Sequence, residues 1–324
     1  MTIDSKIVAV TGGAGFIGSH LVDSLLARGC RVIVLDSLAR GNLSNLPSNN
    51  EQLVLKNIDL ASSATLEREI ENVEVLFDLA AKSPGNRDLY KNPADLVSTN
   101  VGITLKVAQA ASKVGVDRVV FVSSSCVYDH EKAVVPHAES DVGVSKLSYY
   151  GWSKLIGETI YSAYAEQYGL NASVARIFNA YGPRESLSSP HVVPEFIMKA
   201  FECKKGNGTF EILGDGNQTR SFLFVTDAVE GLIRLAESGL TEPVNFGFPR
   251  EVSIQELATL VLEEVGVKVS DVSFINNPGP PKDVRRRSPD ISKANSLLGW
   301  KPNVELKEGL QITIKWWSRE TSHK

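Results

Sequence analysis

The segment from Thr11 to Gly18, TGGAGFIG, leaves this chain few folds to choose from. It follows a short apolar run over residues 6–10 that is typical of a buried strand, and a helical pattern runs from it to Gly29. Glycine permits a tight turn and lets the backbone approach a pyrophosphate, which then rests on the positive end of the helix. The segment therefore predicts a dinucleotide site. We assign it to the turn residues Gly12, Gly15, Phe16, Ile17 and Gly18.

Acidic residues after the next two strand-like runs refine the choice of dinucleotide. Asp36 ends the second run, 21 residues after Gly15. A carboxylate there accepts hydrogen bonds from an adenosine ribose and repels a 2′-phosphate, so the pattern predicts NAD rather than NADP. Asp59 and Leu60 follow the weaker third run and are expected beside the adenine, although a solvated loop carboxylate explains Asp59 equally well.

Strand-like runs alternate with helical patterns along the first half of the chain. Strands are predicted at 6–10, 31–36, 53–55, 75–79, 118–122 and 172–177, and helices at 64–70, 93–114 and 150–168. This alternation requires crossover connections and predicts an α/β fold with a doubly wound parallel (Rossmann) sheet. At the end of the fourth strand, Leu79, Ala80 and Ala81 are expected to let the cofactor pass close to the backbone.

The pattern loosens after residue 179, where glycine, proline and serine separate short helices predicted at 192–204, 226–238, 253–266 and 291–298. We expect an NAD-binding Rossmann domain over residues 1–179 and a smaller C-terminal α/β substrate-binding domain over residues 180–324. The chain is free to cross back between the two.

Composition excludes several other classes of protein. The 324 residues carry 34 Lys and Arg against 38 Asp and Glu, a net charge of −4, which argues against a general nucleic-acid binder. The three cysteines lie far apart and show no metal-ligand spacing, so we predict reduced thiols and no metal site. No signal peptide is evident, and no apolar run approaches the ~20 residues of a membrane span. A cytoplasmic protein without membrane association is expected.

Tyr150 and Lys154 are the first candidates for chemistry. Their i, i+4 spacing places both on one face of the predicted helix 150–168. A nearby ammonium favours the phenolate, so Lys154 is expected to lower the pKa of Tyr150 until it can act as a general base on a sugar hydroxyl.

These motifs together resemble the extended short-chain dehydrogenase/reductase family, whose members mostly act on nucleotide sugars. The resemblance covers nearly the whole chain and includes Ser123-Ser124-Ser125, the segment 176–183 (RIFNAYGP) and the segment 214–222 (GDGNQTRSF). It implies that Ser124 holds the substrate hydroxyl beside Tyr150. It also implies a nucleotide-diphosphate sugar as substrate, bound by Ser124, Ser125, Asn179, Arg220, Arg285 and Arg287. Arginine suits the diphosphate because it grips phosphate oxygens in pairs. A solvated loop is the alternative for the run 285–287.

Position 126 separates the possible activities. Family dehydratases and decarboxylases usually carry an acidic residue near positions 125–126, where this chain has Ser125 and Cys126. A cysteine there resembles GDP-mannose 3,5-epimerase and GDP-fucose synthase, and the surroundings of His191 resemble those of a histidine that the latter pairs with its cysteine. We therefore expect an NAD-dependent epimerase that forms a transient 4-keto sugar. Cys126 and His191 are expected to invert C3, C5 or both in a GDP-hexose such as GDP-mannose.

Other activities stay open at this point. A 4-epimerase of the UDP-glucose or UDP-glucuronate type needs only Ser124, Tyr150 and NAD, and Cys126 then serves packing. A GDP-4-keto-6-deoxy-sugar epimerase/reductase uses the same Cys/His pair but consumes a dinucleotide, and a non-catalytic NAD(H) sensor needs no turnover. By family resemblance a homodimer is expected, formed by the helices predicted at 93–114 and 150–168.

Overall fold

The computed structural model describes residues 1–83, 92–129, 135–143, 147–186, 189, 191–279 and 284–322. In these ranges the strands are β1 (Ile7–Thr11), β2 (Arg31–Asp36), β3 (Leu53–Asn57), β4 (Val75–Asp78), β5 (Arg118–Ser124), β6 (Ala172–Ile177), β7 (Ala180–Tyr181), β8 (Thr209–Leu213), β9 (Thr219–Arg220), β10 (Leu223–Phe224), β11 (Val244–Phe246), β12 (Val252–Ser253), β13 (Ser273–Asn277) and β14 (Arg286–Arg287). The α-helices are α1 (Phe16–Ala27), α2 (Leu66–Glu69), α3 (Pro93–Val114), α4 (Tyr149–Tyr168), α5 (Val192–Lys204), α6 (Val225–Ser238), α7 (Ile254–Val265), α8 (Ser292–Leu298) and α9 (Leu306–Ser322).

A parallel sheet organises the fold, with seven strands from the described residues in the order β11-β6-β5-β4-β1-β2-β3. Its central strands are apolar along their whole length because helices cover both faces. Leu21 and Leu25 of α1 pack on one face together with Leu232 of α6. Val107 of α3 and Tyr161 of α4 pack on the other. The predicted α/β fold with a doubly wound parallel sheet is confirmed.

The chain after residue 180 contributes to both parts of the molecule. Strand β11 pairs with β6 at the edge of the main sheet, and α6 packs against α1, so both lie on the sheet side of a division at residue 179. Helix α8 packs against β11 and α6 on the same side. Most of the other elements form a smaller α/β unit whose core includes Phe196 of α5, Leu257 of α7 and Leu310 of α9. Two short sheets, β13-β8 and β12-β9-β14, complete this unit. Within the described ranges, no helix is long and apolar enough to span a bilayer.

Most predicted helices agree with the structure within two residues, and α9 is the main omission. Its buried residues Leu310, Ile314 and Trp317 recur at helical spacing. These apolar residues form a narrow stripe on an otherwise polar helix, so the sequence of α9 resembles that of a loop. The predicted helix 64–70 is also shorter than expected, and α2 covers only Leu66–Glu69.

Candidate active site

The glycine turn lies between β1 and α1, at the carboxyl edge of the main sheet. Gly12 has φ +67°, and a Cβ atom there would lie 3.2 Å from the Ala80 Cα atom of the neighbouring β4 end. A Cβ atom on Gly18 would lie 2.2 Å from the Gly12 carbonyl oxygen, so only glycine lets α1 approach the turn this closely. The Thr11 hydroxyl holds the two strand ends together, since it accepts from the backbone N–H groups of Leu79 and Ala80 at 3.0 Å each. The turn therefore leaves its backbone open to a ligand.

Asp36 ends β2 beside this turn and is nearly buried. One carboxylate oxygen accepts from the Ala14 N–H at 3.0 Å, and the other accepts from the Leu38 N–H at 2.8 Å. These bonds fix the carboxylate at the cavity wall and leave lone pairs for ribose hydroxyls. The turn and this acidic wall fit a dinucleotide with a free 2′-hydroxyl, as NAD has. Asp59 lines the same cavity and accepts from the Ala61 N–H, and its role beside the adenine stays a prediction.

Ser124, Tyr150 and Lys154 meet where β5 ends against the start of α4. The Ser148 side chain caps this helix, and Gly151 lets it approach the Cys126 carbonyl oxygen, which would lie 2.1 Å from a Cβ atom on Gly151. The Tyr150 hydroxyl hydrogen-bonds to the side chains of Ser83 and Ser124. The serine at the end of β5 and the tyrosine on α4 therefore lie side by side, and their catalytic roles stay predictions.

The expected effect of Lys154 on Tyr150 is not seen in the chain alone. Burial raises the pKa of Tyr150, and a charge on the nearby Cys126 sulfur raises it further. The cation that opposes this rise is Arg40. Lys154 donates instead to the Val122 carbonyl oxygen at 2.8 Å, and burial lowers its own pKa to about 8. Burial of the two side chains thus decides both pKa values, and the i, i+4 spacing of Tyr150 and Lys154 does not lower the pKa of the tyrosine.

Two buried carboxylates, those of Asp78 and Glu158, lie near Lys154 and act on it through their charge, and the sequence analysis predicted neither. Asp78 accepts from the hydroxyl groups of Thr11 and Tyr161, both at 2.7 Å. Glu158 accepts from the Ser123 hydroxyl at 2.5 Å and forms a buried ion pair with Arg176 at 2.7 Å. Both carboxylates oppose the fall in the Lys154 pKa. Asp78 is the last residue of β4, and a carboxylate at the end of a parallel strand is the sequence signal that could have identified it.

Cys126 and His191 line the same cavity from different elements. Cys126 is half-buried in the 3-10 turn Ser125–Val127, and its N–H donates to the Ser124 hydroxyl oxygen at 3.2 Å. His191 Nδ1 lies 2.5 Å from a carboxylate oxygen of Glu185, a nearly buried residue that the sequence analysis missed. Desolvation lowers the pKa of His191, but the bond and charge of Glu185 outweigh it, and the net shift is upward. The pair combines a thiol with a histidine whose pKa is raised by its contact with Glu185.

The arginine run after residue 284 divides between the cavity and the surface. Strands β9 and β14 pair with Arg220 opposite Arg287, and both side chains line the cavity. Arg286 faces the other way and pairs with Glu251. Arg285 is exposed and forms an ion pair with Asp215 at 2.8 Å, so the structure does not bring it to the cavity with the other predicted residues. The alternation of side chains along a strand explains the division between Arg286 and Arg287.

A single cavity of about 1450 Å³ collects the predicted residues, Arg285 excepted. It runs from the glycine turn past Tyr150 to Asn179, which donates to the Ser221 carbonyl oxygen, and on to the two inward arginines. Its volume exceeds the range of up to about 1,000 Å³ that is common for one small ligand. Two ligands side by side, a dinucleotide and a substrate, suit this size. No cluster of potential metal ligands occurs among the residues that the structure describes.

Such a cavity defines a dinucleotide-dependent α/β enzyme. The chain matches the model of the "NAD dependent epimerase/dehydratase family" over residues 8–247, and it belongs to that family. It is 36% identical over 327 residues to UDP-glucuronic acid decarboxylase 1 of Xenopus tropicalis, across 99% of this chain and 74% of the relative. Its cofactor is NAD, as predicted.

Solved structures show the same likeness. An epimerase of Methanothermobacter thermautotrophicus superposes with a TM-score of 0.92 at 31% identity, covering 99% of this chain and 94% of that one. UDP-glucose 4-epimerase of Thermotoga maritima, solved with UDP-glucose, gives a TM-score of 0.89 at 32% identity, with coverages of 97% and 99%. The Xenopus and Thermotoga proteins are named for UDP-sugars, so the expected closeness to GDP-mannose 3,5-epimerase is not supported.

Proposed function

We propose that this chain is an NAD-dependent 4-epimerase of UDP-linked hexoses or their uronic acids, acting through a transient 4-keto sugar. The observation that carries the proposal is the hydrogen bond of Tyr150 to Ser124, set beside a glycine turn that fits NAD. The names of the relatives support a UDP-sugar. They do not separate epimerisation from decarboxylation, and the side chain at position 126 favours epimerisation.

The residues around Tyr150 define its part in the reaction. NAD, held by the glycine turn and Asp36, would supply the hydride acceptor and donor for sugar C4. Tyr150 accepts the proton of the C4 hydroxyl and gives it back, while Ser124 holds that hydroxyl in place. Because burial raises the pKa of Tyr150, positive charge is needed nearby when it acts as a base, and Lys154 and Arg40 are the residues able to provide it.

The inward arginines bind the other end of the substrate. Arg220 and Arg287 lie opposite one another on paired strands and both line the cavity, so an anion can lie between them. A diphosphate satisfies both through paired hydrogen bonds. The distance between this grip and the reacting carbon lets the sugar ring turn over between the two hydride transfers.

Decarboxylation, the activity named for the Xenopus relative, is disfavoured by Cys126. The decarboxylases and dehydratases that this chain resembles usually carry an acidic residue at this place. A thiol beside Ser124 lacks the carboxylate that such a reaction ordinarily uses as its acid or base.

Inversion at C3 or C5 is a second candidate, favoured by one observation. Cys126 and His191 line the same cavity, and the carboxylate of Glu185 raises the pKa of the histidine. A 4-keto group acidifies both neighbouring carbons, so a thiolate and an imidazolium on opposite sides of the ring can exchange protons there.

Incubation in D₂O with UDP-glucose, UDP-glucuronate and GDP-mannose separates these reactions. NMR and mass spectrometry are expected to show inversion at C4 without deuterium in the carbon skeleton. Deuterium at C3 or C5 supports the second candidate, and loss of CO₂ from UDP-glucuronate contradicts both. Cys126→Ala sharpens the test: C4 inversion is expected within about threefold of wild type, whereas C3 or C5 inversion stops.

We also propose a homodimer formed by α3 and α4. Leu105 on α3 and Tyr149 and Trp152 on α4 are large apolar side chains that the monomer leaves exposed. Light scattering is expected to give a mass of two chains, and Leu105→Glu should shift it toward one.

A further inference from the structure

Glu185 and His191 form a hydrogen-bonded pair in the wall of the cavity, near the start of α5. Glu185 Oε1 lies 2.5 Å from His191 Nδ1 and accepts from the Ser189 hydroxyl at 3.2 Å. An ionised carboxylate can only accept, so the proton of this bond belongs to Nδ1. His191 is the N-cap residue of α5, but its side chain makes no capping bond. Nε2 is therefore available to a ligand.

Shared neighbours connect this pair to the catalytic tyrosine. Arg40 donates to the Ser83 carbonyl oxygen at 2.5 Å, and the Ser83 side chain hydrogen-bonds to Tyr150. The charge of Arg40 also reaches both Tyr150 and His191. His191 and Tyr150 thus share a charged neighbour, and we take His191 to act at the end of the cavity where the sugar reacts, with Arg220 and Arg287 at the diphosphate end.

Two charged groups of this part of the cavity already have partners. Arg184 is paired with Asp23 at 2.7 Å, and the cavity-lining Glu195 is paired with Lys199 at 2.8 Å. These two pairs sum to zero.

Glu185 holds Nδ1 of His191, so a protonated ring can offer its Nε2–H to the cavity. A carboxylate on the sugar accepts that proton in a charge-assisted hydrogen bond, whereas a neutral hexose offers only the weaker bond of a hydroxyl.

Building on the proposed function, we infer that the Glu185–His191 pair is a specificity determinant that binds a carboxylate at C6 of the sugar, so that the preferred substrate is a UDP-linked uronic acid. His191 makes the contact, and Glu185 is a positioning residue that fixes its tautomer and charge. Recognition is then sensitive to pH. Since Glu185 raises the pKa of His191, the charge is present below that pKa and is lost as pH rises through it.

The test measures binding to the NAD-loaded protein by calorimetry, with UDP-glucuronate, UDP-glucose and UDP as ligands. At about pH 6, UDP-glucuronate is expected to bind about 10- to 100-fold more tightly than UDP-glucose. At about pH 9 this preference should vanish, while UDP binds equally well to wild type and to His191 variants. Equal affinity for the two sugars at both pH values overturns the inference.

Three variants separate charge from structure. His191→Gln should lose the preference at both pH values, and His191→Lys should keep it at about pH 9, because a lysine stays charged there. Glu185→Gln should retain the preference only at lower pH than wild type, whereas the exposed Glu242→Gln serves as a matched control with no shift. A preference that survives in His191→Gln contradicts the proposal.

C4 inversion is followed in the same samples, so the two proposals fail separately. If UDP-glucose is inverted and bound as well as UDP-glucuronate, the epimerase proposal stands and the inference is wrong. If neither sugar is inverted but binding follows pH and position 191 as described, the recognition stands and the epimerase proposal is wrong.

Discussion

The glycine turn after β1 and the loop around His191 line one cavity, but they contact ligands with different parts of the chain. The turn offers backbone, and glycine is required at Gly12 and Gly18 because a Cβ atom there would crowd neighbouring backbone. The sugar end offers side chains, each held by a partner from another element, as His191 is held by Glu185. The cofactor end is thus specified by local sequence, and the sugar end by tertiary contacts.

Tyr150→Phe is expected to have the largest effect at the boundary between the two regions. It removes the proton acceptor but leaves the packing of a ring in place, so turnover should fall by about 10²- to 10⁴-fold. NAD content, measured on the purified protein, should stay near that of wild type. A variant that loses NAD along with activity contradicts the assignment and makes Tyr150 part of the cofactor site.

Gly18→Ala tests whether the cofactor end depends on backbone geometry. The added Cβ atom would lie 2.2 Å from the Gly12 carbonyl oxygen, and relieving that contact should cost about 1–3 kcal/mol of stability and weaken NAD binding. Gly102→Ala on α3 is the matched control, because nothing lies within 4 Å of its Cβ position. It should gain up to about 1 kcal/mol from helix propensity. Equal losses in the two variants would show that the turn has no special role.

The sequence predicted the cofactor end in detail and the sugar end only in part. Gly12, Asp36 and the strand–turn–helix pattern are contiguous or evenly spaced, so local rules suffice for them. Glu185 was missed because nothing in a loop of mixed composition indicates which side chain will reach His191. Arg285 was misplaced because the alternation of the short strand β14, which selects Arg287, is fixed only when that strand pairs with β9.

Lys154→Met is expected to change the free energy of unfolding and the turnover in opposite directions. Burial lowers the pKa of Lys154 to about 8, so the folded protein holds this charge at a cost at neutral pH. The apo variant should therefore be more stable than wild type at pH 7, by about 1–3 kcal/mol in urea unfolding, while turnover is lost.

The pH dependence of this gain has a defined sign. Between about pH 8 and the unfolded pKa of about 10.5, the unfolded chain binds more protons at this lysine, so wild-type stability rises with pH and the gain shrinks. The exposed Lys205→Met should change stability by less than about 0.5 kcal/mol at either pH. A gain that is independent of pH would assign the effect to packing instead.

The smallest expected effect distinguishes two neighbouring arginines, Arg285 and Arg287. Arg287→Ala should weaken UDP binding by about tenfold, because it removes one side of the paired grip with Arg220. Arg285→Ala should change it by less than about twofold, since that side chain is exposed and paired with Asp215. If both variants lose UDP affinity to a similar extent and binding depends steeply on salt, the arginines at 285–287 attract the ligand by their summed charge and not by specific hydrogen bonds. The sugar end would then rely on summed charge, and the register of β14 against β9 would have no part in choosing the substrate.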